Sequence, residues 1–242
     1  MKFSTKITRV IDQGDVVALI ENSMLDNLSN FKMQPNRVRL FSQITILPSS
    51  VREEGRQLLI GKGSLGRAQA IACASGCSFR SKGIGGELGG CYVSHELRDK
   101  ADKVKRAFAE GTADNPMIVG GVLRLSVWGD ASKLSEDLLS TLYQEYSHIL
   151  AYVSDIQLLP SWMRGKVLAS CQHAQHVDQA LKLGFKMYLG TNEALSRAQE
   201  LGEKVYRCPI KGKEQVLRYG FGCSTCPIAC NGRRNVSAYG LR

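Results

Sequence analysis

Apolar and polar residues alternate at Val38, Leu40, Ile44 and Ile46, with Thr45 between the last two, and Pro48 ends the run. This period of two predicts a strand over 37–47. Upstream the pattern is looser. The first thirty residues predict little, and 16–28 fits a weak helical period. Residues 52–56 are charged and expected to be exposed, while 57–60 reads as a short buried strand. Leu97, Ala101, Val104 and Phe108 recur at helical spacing and predict a helix reaching about residue 110, with Gly111 and Pro116 beyond its end. From residue 122 the pattern becomes regular. Strands are predicted at 122–127, 149–153, 167–170, 185–189 and 204–207. Helices are predicted at 134–146, 177–183 and 192–201, with a turn and short helix at 158–162. Gly184 and Gly202 stop the last two helices.

Strands alternating with helices predict an α/β fold built on a parallel sheet. The chain has room for about six such units, short of the ~250 residues of a full eight-fold barrel. The expected architecture is therefore an open or partial (β/α) barrel of about six parallel strands, with a doubly wound sheet as the alternative. The expected organisation is an N-terminal extension over 1–56, the partial barrel with a cysteine loop over 57–207, and a cysteine-rich basic segment over 208–242. Parallel sheets carry their chemistry at the carboxyl ends of the strands. Asp130, Ser154, Asp155, Cys171 and Cys208 all fall at such ends, as does the cysteine loop after Ile60. Both cysteine groups and Asp130 are thus expected on one face.

The cysteines change the picture most. The late group reads Cys208, fourteen residues, Cys223, two residues, Cys226, three residues, Cys230. The early group reads Cys73, three residues, Cys77, thirteen residues, Cys91, with Gly83, Gly85, Gly86, Gly89 and Gly90 in the long gap. Thiolates at such spacings close a tetrahedral zinc site or hold an iron–sulfur cluster, and [4Fe-4S] is the first expectation, with zinc the alternative. Buried structural cysteines or disulfides are the bland alternative. The early group offers three thiolates, and Cys171 or a histidine is a candidate to complete it. His173 and His176, three apart, are a second candidate pair, although such histidines more often cap a helix. No Ser, His and Asp spacing singles out a nucleophile set.

No apolar run reaches the ~18 residues of a membrane span, and no hydrophobic stretch follows the first residues. A cytoplasmic protein with no membrane partner is expected, in which eight cysteines stay reduced and metal is favoured over disulfide. The net charge is +10. Beyond residue 203, Lys204, Arg207, Lys211, Lys213, Arg218, Arg233, Arg234 and Arg242 stand against Glu214 alone. Lys211, Lys213, Arg218, Arg233 and Arg234 are the candidate contacts to DNA or RNA. A solvated face, or compensation for a thiolate-bound metal, is the competing reading. Gly61-Lys62-Gly63-Ser64-Leu65-Gly66 has the glycine spacing of a dinucleotide-binding turn, but Cys73, Gly76 and Cys77 follow too soon for its helix, and it reads as a loop.

Two family resemblances attach to these motifs. The early group resembles the three-cysteine clusters of radical S-adenosylmethionine enzymes, which sit on the loop after the first strand of a partial barrel, although here the second gap is thirteen residues rather than two. That resemblance implies S-adenosylmethionine as a possible cofactor. The order Cys73…Cys77…Cys91-Tyr92, then 124–130 ending Ser126-Val127-Trp128-Gly129-Asp130, then Cys223…Cys226…Cys230 resembles the gene-product-eighty-eight family of phages and plasmids. It implies a mobile-element setting. Ser126 and Asp130, in the Ser-x-x-Gly-Asp segment, are the candidate cofactor-binding residues. The radical S-adenosylmethionine resemblance implies that Asp130 helps to hold the substrate or cofactor and is the candidate catalytic group.

Overall fold

The computed structural model describes residues 8–23, 41–60, 64–74, 97–113, 122–146, 148–208 and 232–237. They form an α/β fold around a nine-stranded sheet that is mostly parallel and is not closed into a barrel. Strands β1 (Thr8–Asp12) and β2 (Val16–Ser23) form an antiparallel hairpin, and β2 pairs antiparallel with β3 (Phe41–Pro48). From β3 onward every pairing is parallel. β4 (Val122–Trp128), β5 (His148–Val153), β6 (Leu168–Cys171) and β7 (Lys186–Leu189) follow one another across the sheet. The order then changes. β9 (Asn235–Ser237) lies between β7 and β8 (Val205–Arg207), so β8 is the edge.

Helices α4 (Glu136–Glu145), α5 (Ala174–Leu183) and α6 (Asn192–Glu200) follow β4, β6 and β7 as the pattern predicts. Ser135 and Thr191 cap α4 and α6 by accepting backbone amides, and Gly184 ends α5 in the left-handed conformation. Helix α3 (Leu97–Ala109) also falls where predicted. Its Lys100 and Lys103 both bind Glu21 of β2.

Several expectations are corrected. The segment from Val16 is a strand: Val16, Val17, Ala18, Leu19 and Ile20 are all buried. A strand buried on both faces has a continuous apolar run, which periodicity alone does not separate from a helix. Residues 57–60 are no strand. Gly55–Leu59 is a 3-10 helix after the short α1 (Val51–Glu54), and its backbone bonds close locally. The glycine-spaced segment runs into helix α2 (Ser64–Ala72), whose Ala68, Ala70 and Ala72 are strong helix formers. Because a 3-10 helix and not a strand precedes α2, the setting of a dinucleotide-binding turn is absent. Residues 8–23 and 41–48 of the expected extension supply β1, β2 and β3 to the common sheet.

Register sorts the sheet into two faces. Ala151, Val153, Ala169, Cys171, Met187 and Leu189 are buried on the face that meets α5 and α6. The opposite face can be followed pair by pair: Glu21 with Gln43, Gln43 with Arg124, Arg124 with Leu150, then Tyr152, Ser170, Tyr188, Val236 and Tyr206. Helix α3 sits at its Glu21 end. Further along, Arg124, Tyr152, Ser170, Tyr188 and Tyr206 are half-buried. Among the described residues, no helix is long and apolar enough to cross a membrane.

Candidate functional site at the carboxyl edge of the sheet

Strand β4 ends by turning at Gly129, where φ is +82°. The next amide, of Asp130, donates to the Ala72 carbonyl at 2.7 Å and ties the strand to the last residue of α2. Cys73 follows directly and is half-buried. The first early-group cysteine therefore stands beside Asp130 at the carboxyl edge, as expected, but helix α2 brings it there and not a strand over 57–60. The Asp130 side chain is only 5% exposed. Its Oδ1 accepts the Ser132 amide at 3.0 Å and its Oδ2 accepts the Ser154 amide at 2.8 Å. Burial pushes its carboxyl above the ordinary range, against the pull of these two donors, and nearby Asp155 adds to the rise. Both oxygens are thus engaged in clamping the loops that follow β4 and β5. Ser126 lies in β4, and its side chain is outside the described residues. Replacing Asp130 with alanine leaves two amides without an acceptor, each costing about 1–3 kcal/mol. Urea unfolding is expected to show a loss of roughly 2–5 kcal/mol, and a loss below that range would mean water replaces the clamp.

Cys208 closes β8. Its amide donates to the Ser237 carbonyl at 2.8 Å, so it stands at the carboxyl ends of β8 and β9, half-buried. Cys73 and Cys208 thus share an edge but not a position. Five strand spacings separate β4 from β8, roughly 24 Å along a flat sheet. Cys171 is different. It is buried, its Sγ lies 3.5 Å from the His176 carbonyl of α5, and burial pushes its thiol up to about 12. A thiol held protonated in this way is a poor metal ligand. His176 Nδ1 accepts the Gln172 backbone N–H at 3.3 Å, and His173 Nδ1 lies 3.2 Å from Glu193 Oε2. The two histidines serve the start of α5. Cys77, Cys91, Cys223, Cys226, Cys230, Lys211, Lys213 and Arg218 lie outside the described residues. Among the described residues, no three metal-capable side chains converge.

Arg233 and Arg234 enter β9 from the other end. Gly232, at φ +80°, is pressed against the backbone of 165–167, which leads into β6 at its amino end. The two exposed arginines therefore lie away from the edge that carries Cys73 and Cys208. Arg234 stacks over the Tyr206 ring at 5.1 Å and Lys204 at 5.4 Å. Tyr206 is an aromatic partner for these charges that the sequence reading did not single out.

The same reading missed a second cluster. Tyr152 and Tyr188 stack with centroids 4.8 Å apart and planes at 28°, and Arg124 lies 5.9 Å over the Tyr152 ring. Ser170, in register with Tyr188, belongs to the strand between them. Its Oγ lies 3.4 Å from Gln172 Nε2. Gln172 is 5% exposed, and its Oε1 has no partner among the described residues. A side chain at Gly190 would collide with the Gln172 amide, so glycine there makes room for it. Alternation along β5, β6 and β7 puts these groups on one face, but only tertiary contact reveals the orphaned amide.

No family model, no curated protein and no solved structure matches the chain.

Proposed function

We propose that this chain is an iron–sulfur protein of a phage or plasmid that acts on or with nucleic acid. The observation that carries the metal half is a contrast among the described cysteines. Cys73 and Cys208, the members of the two spaced groups, are half-buried at the carboxyl edge, whereas the isolated Cys171 is buried as a thiol. Cys73 with Cys77 and Cys91 would hold one group, and Cys208 with Cys223, Cys226 and Cys230 another. Bound there, a [4Fe-4S] cluster supplies one-electron chemistry or a structural staple. The spread of the edge between Cys73 and Cys208 favours two separate groups over one shared group.

The nucleic-acid half rests on the net charge of +10 and on the cluster of Lys204, Tyr206 and Arg234. Neutralising phosphates releases condensed counterions, so binding weakens as salt rises. Protein purified without oxygen is expected to be brown and to contain iron and acid-labile sulfide. The Arg233→Ala, Arg234→Ala double variant is expected to flatten the log–log salt dependence of binding by about 1 to 2 units. Colourless protein with stoichiometric zinc would overturn the iron assignment. A slope unaffected by the double variant would overturn the nucleic-acid assignment and leave the charge as compensation for the metal.

A further inference from the structure

We infer that the sheet face carrying Tyr152, Tyr188 and Gln172 is a site for single-stranded nucleic acid, where a base stacks on the tyrosine pair and the Gln172 amide reads its edge. The inference rests on the nucleic-acid reading above and narrows it from any polyanion to an unpaired strand.

Three observations converge. The first is placement. Register puts Arg124, Tyr152, Ser170, Tyr188 and Tyr206 on the face opposite α5 and α6, on β4, β5, β6, β7 and β8, with β9 lying between the last two. Tyr152, Tyr188 and Tyr206 are half-buried, so each keeps part of its surface exposed. A row of such rings is a stacking platform, and stacking is sequence-tolerant because every base has a π-face.

The second is the amide. Gln172 is buried, and one of its two polar ends has no partner among the described residues. The other end is tied to Ser170, beside Tyr188. In either orientation of the amide one hydrogen-bonding group is orphaned among the described residues. Such a group is costly in a folded protein unless something completes it. Here the fold reserves Gly190 to lay that amide against β7. A base edge offers donors and acceptors at the height of a ring stacked on Tyr188, and a glutamine amide is suited to them.

The third is charge. Arg124, Lys186, Lys204 and Arg234 flank the aromatic row, with Arg124 over Tyr152 and with Lys204 and Arg234 over Tyr206. Lys186 is shared with Glu203 at 3.5 Å. Cations on both sides of the rings match a strand whose phosphates run outside its bases. A duplex keeps its base faces inside its own stack, so it cannot use the tyrosines.

The test is fluorescence anisotropy of the full chain with a labelled single strand, the matched duplex, and unlabelled mononucleotides as competitors. The single strand is expected to bind about tenfold or more tighter than the duplex at moderate salt. Tyr188→Leu is expected to weaken single-strand binding by about tenfold, while Tyr188→Phe retains it. Gln172→Ala is expected to weaken it several-fold and to change the ranking of homopolymers, with the salt slope unchanged. Photo-crosslinking of the unaltered protein, read by mass spectrometry, should place the adduct in peptides holding Tyr152 or Tyr188. It decides the matter even where a variant folds poorly. Equal affinity for strand and duplex, with wild-type binding by Tyr188→Leu and Gln172→Ala but a flattened slope in the double arginine variant, would overturn this site and leave the nucleic-acid reading standing. Mononucleotides competing as well as the strand would overturn it in favour of a small-molecule site. Absence of any binding at low salt would overturn both.

Discussion

Replacing Gly129 with alanine is expected to cost roughly 2–5 kcal/mol, combining a left-handed backbone with an overpacked contact. Its φ of +82° disfavours any side chain. A Cβ would also stand 2.6 Å from Ile46 Cβ, 2.8 Å from the Ile46 carbonyl and 3.0 Å from the Ala72 carbonyl. Two of those three atoms are backbone, so relief requires moving β3 or the end of α2. The second movement breaks the bond from the Asp130 amide to the Ala72 carbonyl and displaces Cys73. The control is Gly14→Ala, at φ +77° with nothing within 4 Å of its Cβ. It carries the backbone cost alone, about 1–2 kcal/mol. Urea denaturation of both variants separates the two causes, and equal losses would mean the close approach at Gly129 is unimportant.

Glu21→Gln is expected to destabilise the fold by about 2–3 kcal/mol at neutral pH, a little below the range for breaking a fully buried ion pair. The Glu21 and Lys100 side chains are 12% and 11% exposed, so charge lost from one leaves the other poorly solvated, while Lys103 at 33% still reaches water. Burial pushes the Glu21 carboxyl up, but the hydrogen bonds and charges of Lys100 and Lys103 outweigh it and hold the group below its ordinary value of 4.5. A depressed folded value gives stability that is fully present above the unfolded value and is lost as pH falls through the folded one. The gap between wild type and Glu21→Gln should therefore be widest at neutral pH and should shrink on acidification below about 4.5. A gap that stays constant over that window would show that α3 is held by packing alone.

Much of the parallel half was legible because its strands and helices are short, regular and punctuated. Ser135, Thr191, Gly184 and Gly202 mark helix ends by local chemistry, and local chemistry is what a sequence displays. The hairpin was not legible. Val16 to Ile20 is apolar at every position, which removes the alternation that identifies a strand. β9 was hidden for another reason: Asn235–Ser237 is three residues long, and it earns its place from Asn235, whose side chain accepts the Met187 amide and donates to Glu203. Cys73 was expected at the carboxyl edge on the strength of a strand over 57–60, but it stands beside Asp130 because helix α2 ends there, with the Asp130 amide bonded to the Ala72 carbonyl, a tertiary contact that a sequence does not display. The Tyr152 and Tyr188 stack was not legible either, because those residues are ordinary strand alternation until the sheet assembles. Gln172 and Gly190 are eighteen residues apart but meet only through strand pairing, as the neighbouring bond from Thr191 to the Gln172 carbonyl also shows.

The insertion of β9 between β7 and β8 sets an order on biosynthesis. A ribosome delivers β8 well before β9, and at ordinary elongation rates the interval is on the order of seconds. During it β8 has no neighbour to bond, since its described pairing is with β9 alone. The nascent chain must therefore keep β7 exposed along one side and admit a later strand into the gap. Any group that gathers the cysteines made in that interval would act on the chain while this part of the sheet is still open. If the proposed metal groups form, their assembly and the completion of the sheet become competing or cooperating events in time.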